Sequence, residues 1–290
     1  MRLRVLALAA ALLGLAGPVR ADDEAVARGA YLVRAGGCVA CHTVKDGQPF
    51  AGGRAMETPF GTFFTPNITA DAETGIGRWS DADFLRALKQ GLSPAGEHYY
   101  PVFPYTSYTR ASDADLLAIK AYLFSLPAVA APRREHDIAF PFSVRALQAG
   151  WKLLFFRPGD FRPRVGASPA YNRGAYLVQA LGHCGECHTP RNPAGGTLIG
   201  LALAGTPDGP DGEVVPNITP DAQTGIGGWS VAEVAELLAS GTTPEFDNVQ
   251  GSMAEVVEDG TSRLTDGDRD AIATYLLSLP PIRHGKSRGN

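Results

Sequence analysis

Apolar positions recur with helical spacing in several stretches of the chain, and the stretches return later in the same order. "WSDADFLRAL", from Trp79 to Leu88, predicts a helix that starts on an N-cap at Ser80, has acids in its first turn and carries an apolar stripe. "WSVAEVAELL", from Trp229 to Leu238, predicts the same helix starting at Ser230. "SDADLLAIKAYLFSL" and "TDGDRDAIATYLLSL" predict a further capped helix in each half, stopped by Pro127 and Pro280. A short helix leads into "GGCVACH" and into "GHCGECH". Between these lie loops rich in Gly and Pro, with no strand-like alternation.

These recurrences are an internal repeat. "RGAYLVRAGGCVACHT" (Arg28 to Thr43) returns as "RGAYLVQALGHCGECHT" (Arg173 to Thr189) with one residue inserted. "PNITADAETGIGRWSDAD" returns as "PNITPDAQTGIGGWSVAE", and "AIKAYLFSLP" as "AIATYLLSLP". The offset grows from 145 to 150 to 153 residues, so insertions fall between the matched blocks. Three blocks in one order predict two homologous domains, 22–130 and 171–290. The connection 131–170 holds the apolar stretch "VRALQAGWKLLFF", a predicted short helix. Its Trp151, Phe155 and Phe156 are expected in an interface core, and a membrane-surface role is the less favoured reading.

The start of the chain changes the picture of where it works. A basic start, an apolar run from Val5 to Val19 and the sequence Val19-Arg20-Ala21 match a cleaved secretory signal covering residues 1–21. The run is short for a bilayer span of about 20 residues. Removing it takes away Arg2, Arg4 and Arg20. The 26 basic residues fall to 23 against 30 acidic, a formal charge of −7. That charge argues against nucleic acid as a partner, and the signal predicts an exported, periplasmic protein.

All four cysteines, Cys38, Cys41, Cys184 and Cys187, lie in two Cys-x-x-Cys-His motifs. Two disulfides are conceivable in an exported chain. A zinc site would need further paired ligands, and a thioredoxin-like pair would need a single motif in a βαβ setting. The pattern fits covalent attachment of haem c instead. Each cysteine pair adds to two vinyl groups, and the adjacent His42 or His188 supplies the proximal iron ligand. Two haems per chain are predicted.

The opposite axial ligands are less symmetric. Met253 lies 65 residues after His188, in the loop before the last helix, and is the predicted axial ligand of the second haem. The matching loop of the first half reads "HYYPVFPYTSY", with Phe103 at the corresponding place. His98 in that loop is the favoured sixth ligand of the first haem, and a hydrogen bond to a propionate is its rival role. Met56, only 14 residues past His42, is a weaker candidate, and an open iron or Tyr105 is a third outcome. His183 is expected on a helix face, and His136 and His284 in solvent. Asn67, Thr69, Trp79 and their repeats Asn217, Thr219 and Trp229 are expected to line the haem edge and bond propionates. No catalytic triad or carboxylate pair stands out.

"PFGTFFTPNITADAETGIGRWSDADFLRALKQG", "HYYPVFPYTSYT" and "VVPNITPDAQTGIGGWS" resemble the cytochrome c subunits of membrane-associated bacterial dehydrogenases, above all quinoprotein alcohol dehydrogenase. The resemblance implies a mainly α fold of two tandem class I cytochrome c domains. Family members of the alcohol dehydrogenase type usually carry three haem domains, whereas this chain has two. The family's "YPAMPY" ligand loop is "YPVFPY" here, and "GSMAEVV" matches its Met loop, which supports Met253. The implied function is electron transfer from a periplasmic dehydrogenase to a small cytochrome, an oxidase or a quinone. Peripheral membrane association would come through the complex. The rival readings are a dihaem peroxidase-like enzyme or a small-ligand sensor, both using an open first haem. A thiosulfate dehydrogenase with a Cys-ligated haem is disfavoured, because no cysteine is left over.

Overall fold

The computed structural model describes residues 21–285, so residues 1–20 of the expected signal segment lie outside it. The first half contains helices α1 (Ala21–Ala35), α2 (Cys38–His42), α3 (Asp81–Gln90), α4 (Tyr105–Tyr108) and α5 (Asp113–Ser125). The connection carries α6 (Leu147–Phe155). The second half contains α7 (Pro169–Tyr176), α8 (Gly185–His188), α9 (Val231–Ser240), α10 (Gly251–Asp259) and α11 (Asp266–Leu277).

The helices start where their caps dictate. Ser80 and Ser230 each close a capping box, accepting from the backbone N–H of Asp83 and of Glu233. Gly91 and Gly241 end these two helices in the left-handed region. Ser112 and Thr265 cap α5 and α11 by accepting from the N–H groups of Asp115 and Asp268. Each such cap is worth about 1 kcal/mol.

Helix α1 packs on α5, and α7 on α11. Both crossings need a glycine. A Cβ on Gly29 would stand 1.9 Å from the Ala118 carbonyl oxygen, and one on Gly174 would stand 1.9 Å from that of Ala271. The repeated "RGAYL" therefore sets how closely each pair of helices approaches. Leu32, Val33, Leu116, Ile119 and Leu123 fill the first core, and Leu177, Val178, Leu181, Ile272 and Leu276 the second.

The inserted residue of the second half has a structural outlet. Leu177–Leu181 forms a π-helical turn that continues α7, with the Gly182 N–H donating to the Leu177 carbonyl. A π turn absorbs one extra residue without breaking the helix. Beyond it the chain must turn sharply into the motif. Gly37 does so at φ 62° before Cys38, and His183 at φ 38° before Cys184.

Three expectations are corrected. A small antiparallel sheet is present, with β1 (Ala55–Thr58) paired to β2 (Gly61–Phe64), and β2 to β3 (Asp137–Ile138) from the connection. Strands of four and two residues are too short to show alternation. His136 is not simply solvated: its Nδ1 accepts from the Phe64 N–H and its ring packs on Phe63. His284 reaches back through Nδ1 to the Ala204 carbonyl at 3.2 Å.

Helix α6 bridges the halves. Trp151 Nε1 donates to the Ala194 carbonyl at 2.8 Å, Phe155 packs on Gly196, and Phe156 sits edge-on to Tyr105. Lys152 turns inward and donates to the Gln90 and Gly91 carbonyls. Burial pulls its ammonium down to about 8. Its neighbours Leu153 and Leu154 are 80 % and 63 % exposed. Among the described residues no helix is long and apolar enough to cross a membrane.

Candidate functional site

Each Cys-x-x-Cys-His motif forms one short helix, α2 or α8, set by the turn at Gly37 or His183. The four thiols are unpaired. Burial pushes Cys38 and Cys184 up to about 12 and Cys187 up to about 11, and it raises Cys41 too. Thiols held neutral in this way do not behave as a thioredoxin-like pair, which depends on a lowered pKa. Among the described residues no group of three or more His, Cys, Asp and Glu side chains is placed to hold a metal ion, so the zinc reading has no ligand set.

The two histidines are held alike. His42 Nδ1 lies 2.7 Å from the Pro66 carbonyl, and His188 Nδ1 lies 2.8 Å from that of Pro216. An oxygen acceptor at that distance fixes the proton on Nδ1 and leaves the Nε2 lone pair for a metal. Burial holds both imidazoles below their ordinary pKa, opposed by the bond to the carbonyl, so they stay neutral.

The proline carbonyls are fixed by the next residue in the chain. Asn67 Nδ2 donates to the Val129 carbonyl (2.7 Å) and to Thr74 Oγ1 (3.0 Å), while its Oδ1 accepts from the Thr69 N–H and Oγ1. Asn217 repeats this with Ile282, Thr224 and Thr219. The expected role of these Asn and Thr residues at the propionates is therefore corrected. All four are buried, and their polar atoms are spent on the loop whose proline carbonyl meets His42 or His188. Trp79 and Trp229 pack, partly buried, against the hydrophobic core.

Met253 lies in the first turn of α10, partly buried against the core. Backbone pairing identifies its counterpart. The Val249 N–H donates to Gly241, as the Tyr99 N–H donates to Gly91. Four residues on from these stand Met253 and Phe103, so a phenyl ring occupies the thioether's register position. Phe103 sits among Tyr99 (5.7 Å), Tyr105 (6.3 Å) and Tyr108 (6.0 Å).

His98 precedes Tyr99 in a segment bridged to Leu92. The Tyr99 ring stands edge-on to Phe103. His98 Nδ1 is buried without a hydrogen-bond partner, and the nearby Lys152 charge adds to burial in lowering its pKa. Met56 lies in β1 opposite Phe63.

The two motifs meet across the boundary between the halves. A Cβ on Gly37 would stand 3.6 Å from His183 Nε2, and one on Gly182 would stand 3.8 Å from the Ala35 carbonyl oxygen. His183, expected on a helix face, instead crosses this boundary: Nε2 lies 3.3 Å from the Gly36 carbonyl and the ring stands edge-on to Tyr108. Arg54 of the first half donates to the Ala40 carbonyl at 2.6 Å and pairs with Glu255 of α10. Glu186, between Cys184 and Cys187, accepts from Thr106 and Ser107 of α4. Of these crossing groups only His183 was singled out in the sequence; Arg54, Glu255 and Glu186 were not. The signal was available, since Glu186 replaces Ala40 of the first motif, but its partners lie about 80 residues away.

Comparison with known proteins agrees with this geometry. A family model described as cytochrome c matches residues 26–127. A diheme cytochrome c-type protein of Cereibacter sphaeroides is 45% identical, over 96% of both chains. The cytochrome c subunit of a quinone alcohol dehydrogenase of Gluconacetobacter polyoxogenes is 41% identical over all of this chain and 64% of its own length. The cytochrome c subunit of a gluconate 2-dehydrogenase of Pantoea cypripedii is 41% identical over 90% of this chain and 60% of its own length. The chain thus spans less than two thirds of these two dehydrogenase components. Two Cys-x-x-Cys-His motifs, each with its histidine held through Nδ1, and 45% identity to a diheme cytochrome c-type protein over 96% of both chains make this chain a member of the cytochrome c family.

Proposed function

We propose that the chain is a periplasmic dihaem cytochrome c that passes electrons from a dehydrogenase to a downstream acceptor. In this reading 22–130 and 171–290 are tandem class I cytochrome c domains joined by the linker 131–170. The matched helix crossings at Gly29 and Gly174 and the matched Asn67 and Asn217 networks support that division. Haem c would be bonded to Cys38 and Cys41, and to Cys184 and Cys187, with His42 and His188 as proximal ligands and Met253 as the second axial ligand. Bound there, haem supplies one-electron redox chemistry, with potentials set by axial ligands and surroundings.

The observation that carries the proposal is the juxtaposition of the two motifs. Both present a neutral imidazole fixed through Nδ1, and both lie against one boundary. Two redox centres held so close by one rigid chain act as a relay. The dehydrogenase partner is supported by the alcohol and gluconate dehydrogenase relatives. The acceptor is a small cytochrome, an oxidase or a quinone. The exposed leucines of α6 support peripheral membrane association through the complex.

At the first site His42 would hold the iron, and Phe103, at the register position of Met253, offers no lone pair. The alternative sixth ligand, His98, draws its support from the buried, unpartnered Nδ1. A first iron with a vacant position also supports a second reading, peroxidase-like chemistry or small-ligand sensing.

Pyridine haemochrome analysis of the exported, matured protein tests the main proposal. Two haem equivalents per chain, reduced by a cognate dehydrogenase and reoxidised by a small cytochrome or a quinone, are expected. One equivalent or none would end it.

A further inference from the structure

The turn that follows α3 recurs after α9 with the same backbone bonds. The Ser93 N–H donates to the Glu97 carbonyl, and the Gly96 N–H to that of Ser93. In the second half the Thr243 N–H donates to Asp247 and the Phe246 N–H to Thr243. The turn needs a residue in the left-handed region, and the first half uses Gly96 at φ 83°. The second half holds Phe246 there, at φ 62°. A bulky residue in that region is strained. Phe50 (φ 62°) and Leu203 (φ 63°) share the conformation, but they are 3% and 7% exposed, so core packing offsets their strain. Phe246 is 90% exposed, so burial offsets nothing.

Charge singles out the same segment. Residues 231–262, which run from α9 through this turn to α10, contain seven acidic residues and no Lys or Arg. The corresponding residues 81–112 contain three of each sign. Glu245 and Asp247 flank the exposed ring and are themselves exposed. Glu255 and Asp259 of α10 are paired with Arg54 and Arg34, whereas among the described residues no ion pair involves Glu245 or Asp247. Strain that packing does not offset collects at binding sites.

We infer that Phe246, with Glu245 and Asp247, seats a small electron-accepting protein whose docking face is cationic. The ring supplies the apolar contact, and the two carboxylates steer the approach. The loop is the one that delivers Met253, seven residues on, so the seat belongs to the second site. Thioether ligation raises the potential there, which makes it the end where electrons leave rather than enter. One electron passes per encounter: the chain is oxidised, the acceptor is reduced, and no proton or bond moves. The inference rests on the dihaem electron-transfer reading above.

Stopped-flow oxidation of the ascorbate-reduced, matured dihaem protein tests it, with a lysine-rich mitochondrial cytochrome c as the probe. The wild-type rate is expected to fall as salt rises. Phe246→Gly gives this turn the residue type that the first half uses. It is expected to slow the transfer about fivefold or more. Both haem potentials should stay in place, and the urea midpoint should not fall, because a strained position is relieved. A merely structural role would lower the midpoint and leave the rate alone. Glu245→Gln combined with Asp247→Asn is expected to slow the transfer at low salt and to match wild type at high salt. Rates unchanged in both variants overturn the inference, as does a wild-type protein that reduces ferricyanide but not the probe. So does a Phe246→Gly variant slowed only in its reduction by a dehydrogenase, which would seat the donor there. These outcomes leave the relay intact. A wild-type protein without two haems, or one that reduces neither ferricyanide nor the probe, would instead overturn the electron-transfer reading.

Discussion

Phe103 and Met253 share one register position, and that difference of a single side chain is expected to separate two otherwise similar sites. A thioether completes the coordination of an iron and raises its potential, whereas a phenyl ring offers no lone pair. Phe103→Met replaces the ring by a flexible chain that fills core space well, at a stability cost of about 1 kcal/mol. It is expected to raise the potential of the first haem and abolish its binding of CO or cyanide. Optical titration of wild type and variant checks this. His98→Ala tests the alternative ligand directly. Near-infrared magnetic circular dichroism is expected to stay unchanged, since Phe103 and not His98 stands at the register position of Met253. A new high-spin signal in that variant would return His98 to the iron.

Helix α6 shows what an element adds that its residues do not announce. Its apolar spacing predicted a packed helix, and Trp151, Phe155 and Phe156 do pack. The same helix turns Lys152 inward and Leu147, Leu153 and Leu154 outward, an inversion of the usual arrangement. An uncovered apolar face of this kind is suited to attachment. Leu153→Glu combined with Leu154→Glu removes no buried contact, so its effect on stability is expected within about 0.5 kcal/mol. The double variant is expected to move the protein from the membrane fraction to the soluble fraction, read by sedimentation with haem absorbance. Retention on the membrane in the variant would assign attachment elsewhere. The capped helices were legible because Ser80, Ser230, Ser112 and Thr265 act within three residues. The two Cys-x-x-Cys-His motifs, each folded as one short helix, are equally local. The sheet was not, because β3 joins β2 from more than 70 residues away. The Asn67 and Asn217 networks were misread because their partners, Val129 and Ile282, lie more than 60 residues on. The repeat itself displayed the extra residue before Cys184. It did not show that a π turn would absorb it.

At the scale of the molecule the two halves grip each other through a reciprocal pair of contacts. Tyr31 of α1 donates to Asp268 of α11 at 2.6 Å, and Tyr176 of α7 donates to Asp115 of α5 at 2.5 Å. Each aspartate is also held within its own half, Asp115 by Arg28 and Asp268 by Arg173. Each tyrosine oxygen accepts in turn from a helix start, Thr265 N–H or Ser112 N–H. The result is an isologous interface formed within one chain, which holds the two motifs in register. Tyr31→Phe and Tyr176→Phe each deprive a largely buried carboxylate of a donor, at a cost of about 1–3 kcal/mol. Urea denaturation followed by haem absorbance measures the loss, and an unchanged midpoint in both variants would remove the interface from this role. The pH dependence has a definite sign. Burial tends to raise the Asp268 carboxyl, but Arg173 and Tyr31 outweigh it and hold it below the ordinary aspartate value. A depressed carboxyl stabilises the fold fully above its unfolded pKa, and that share is lost as pH falls toward the folded value. Tyr31→Phe brings the folded value nearer the unfolded one. The variant's deficit is therefore expected to be largest at neutral pH and to shrink below a pH of about 4, where unfolded aspartates are protonated. A deficit independent of pH would mean that the hydroxyl acts by packing rather than by holding the charge.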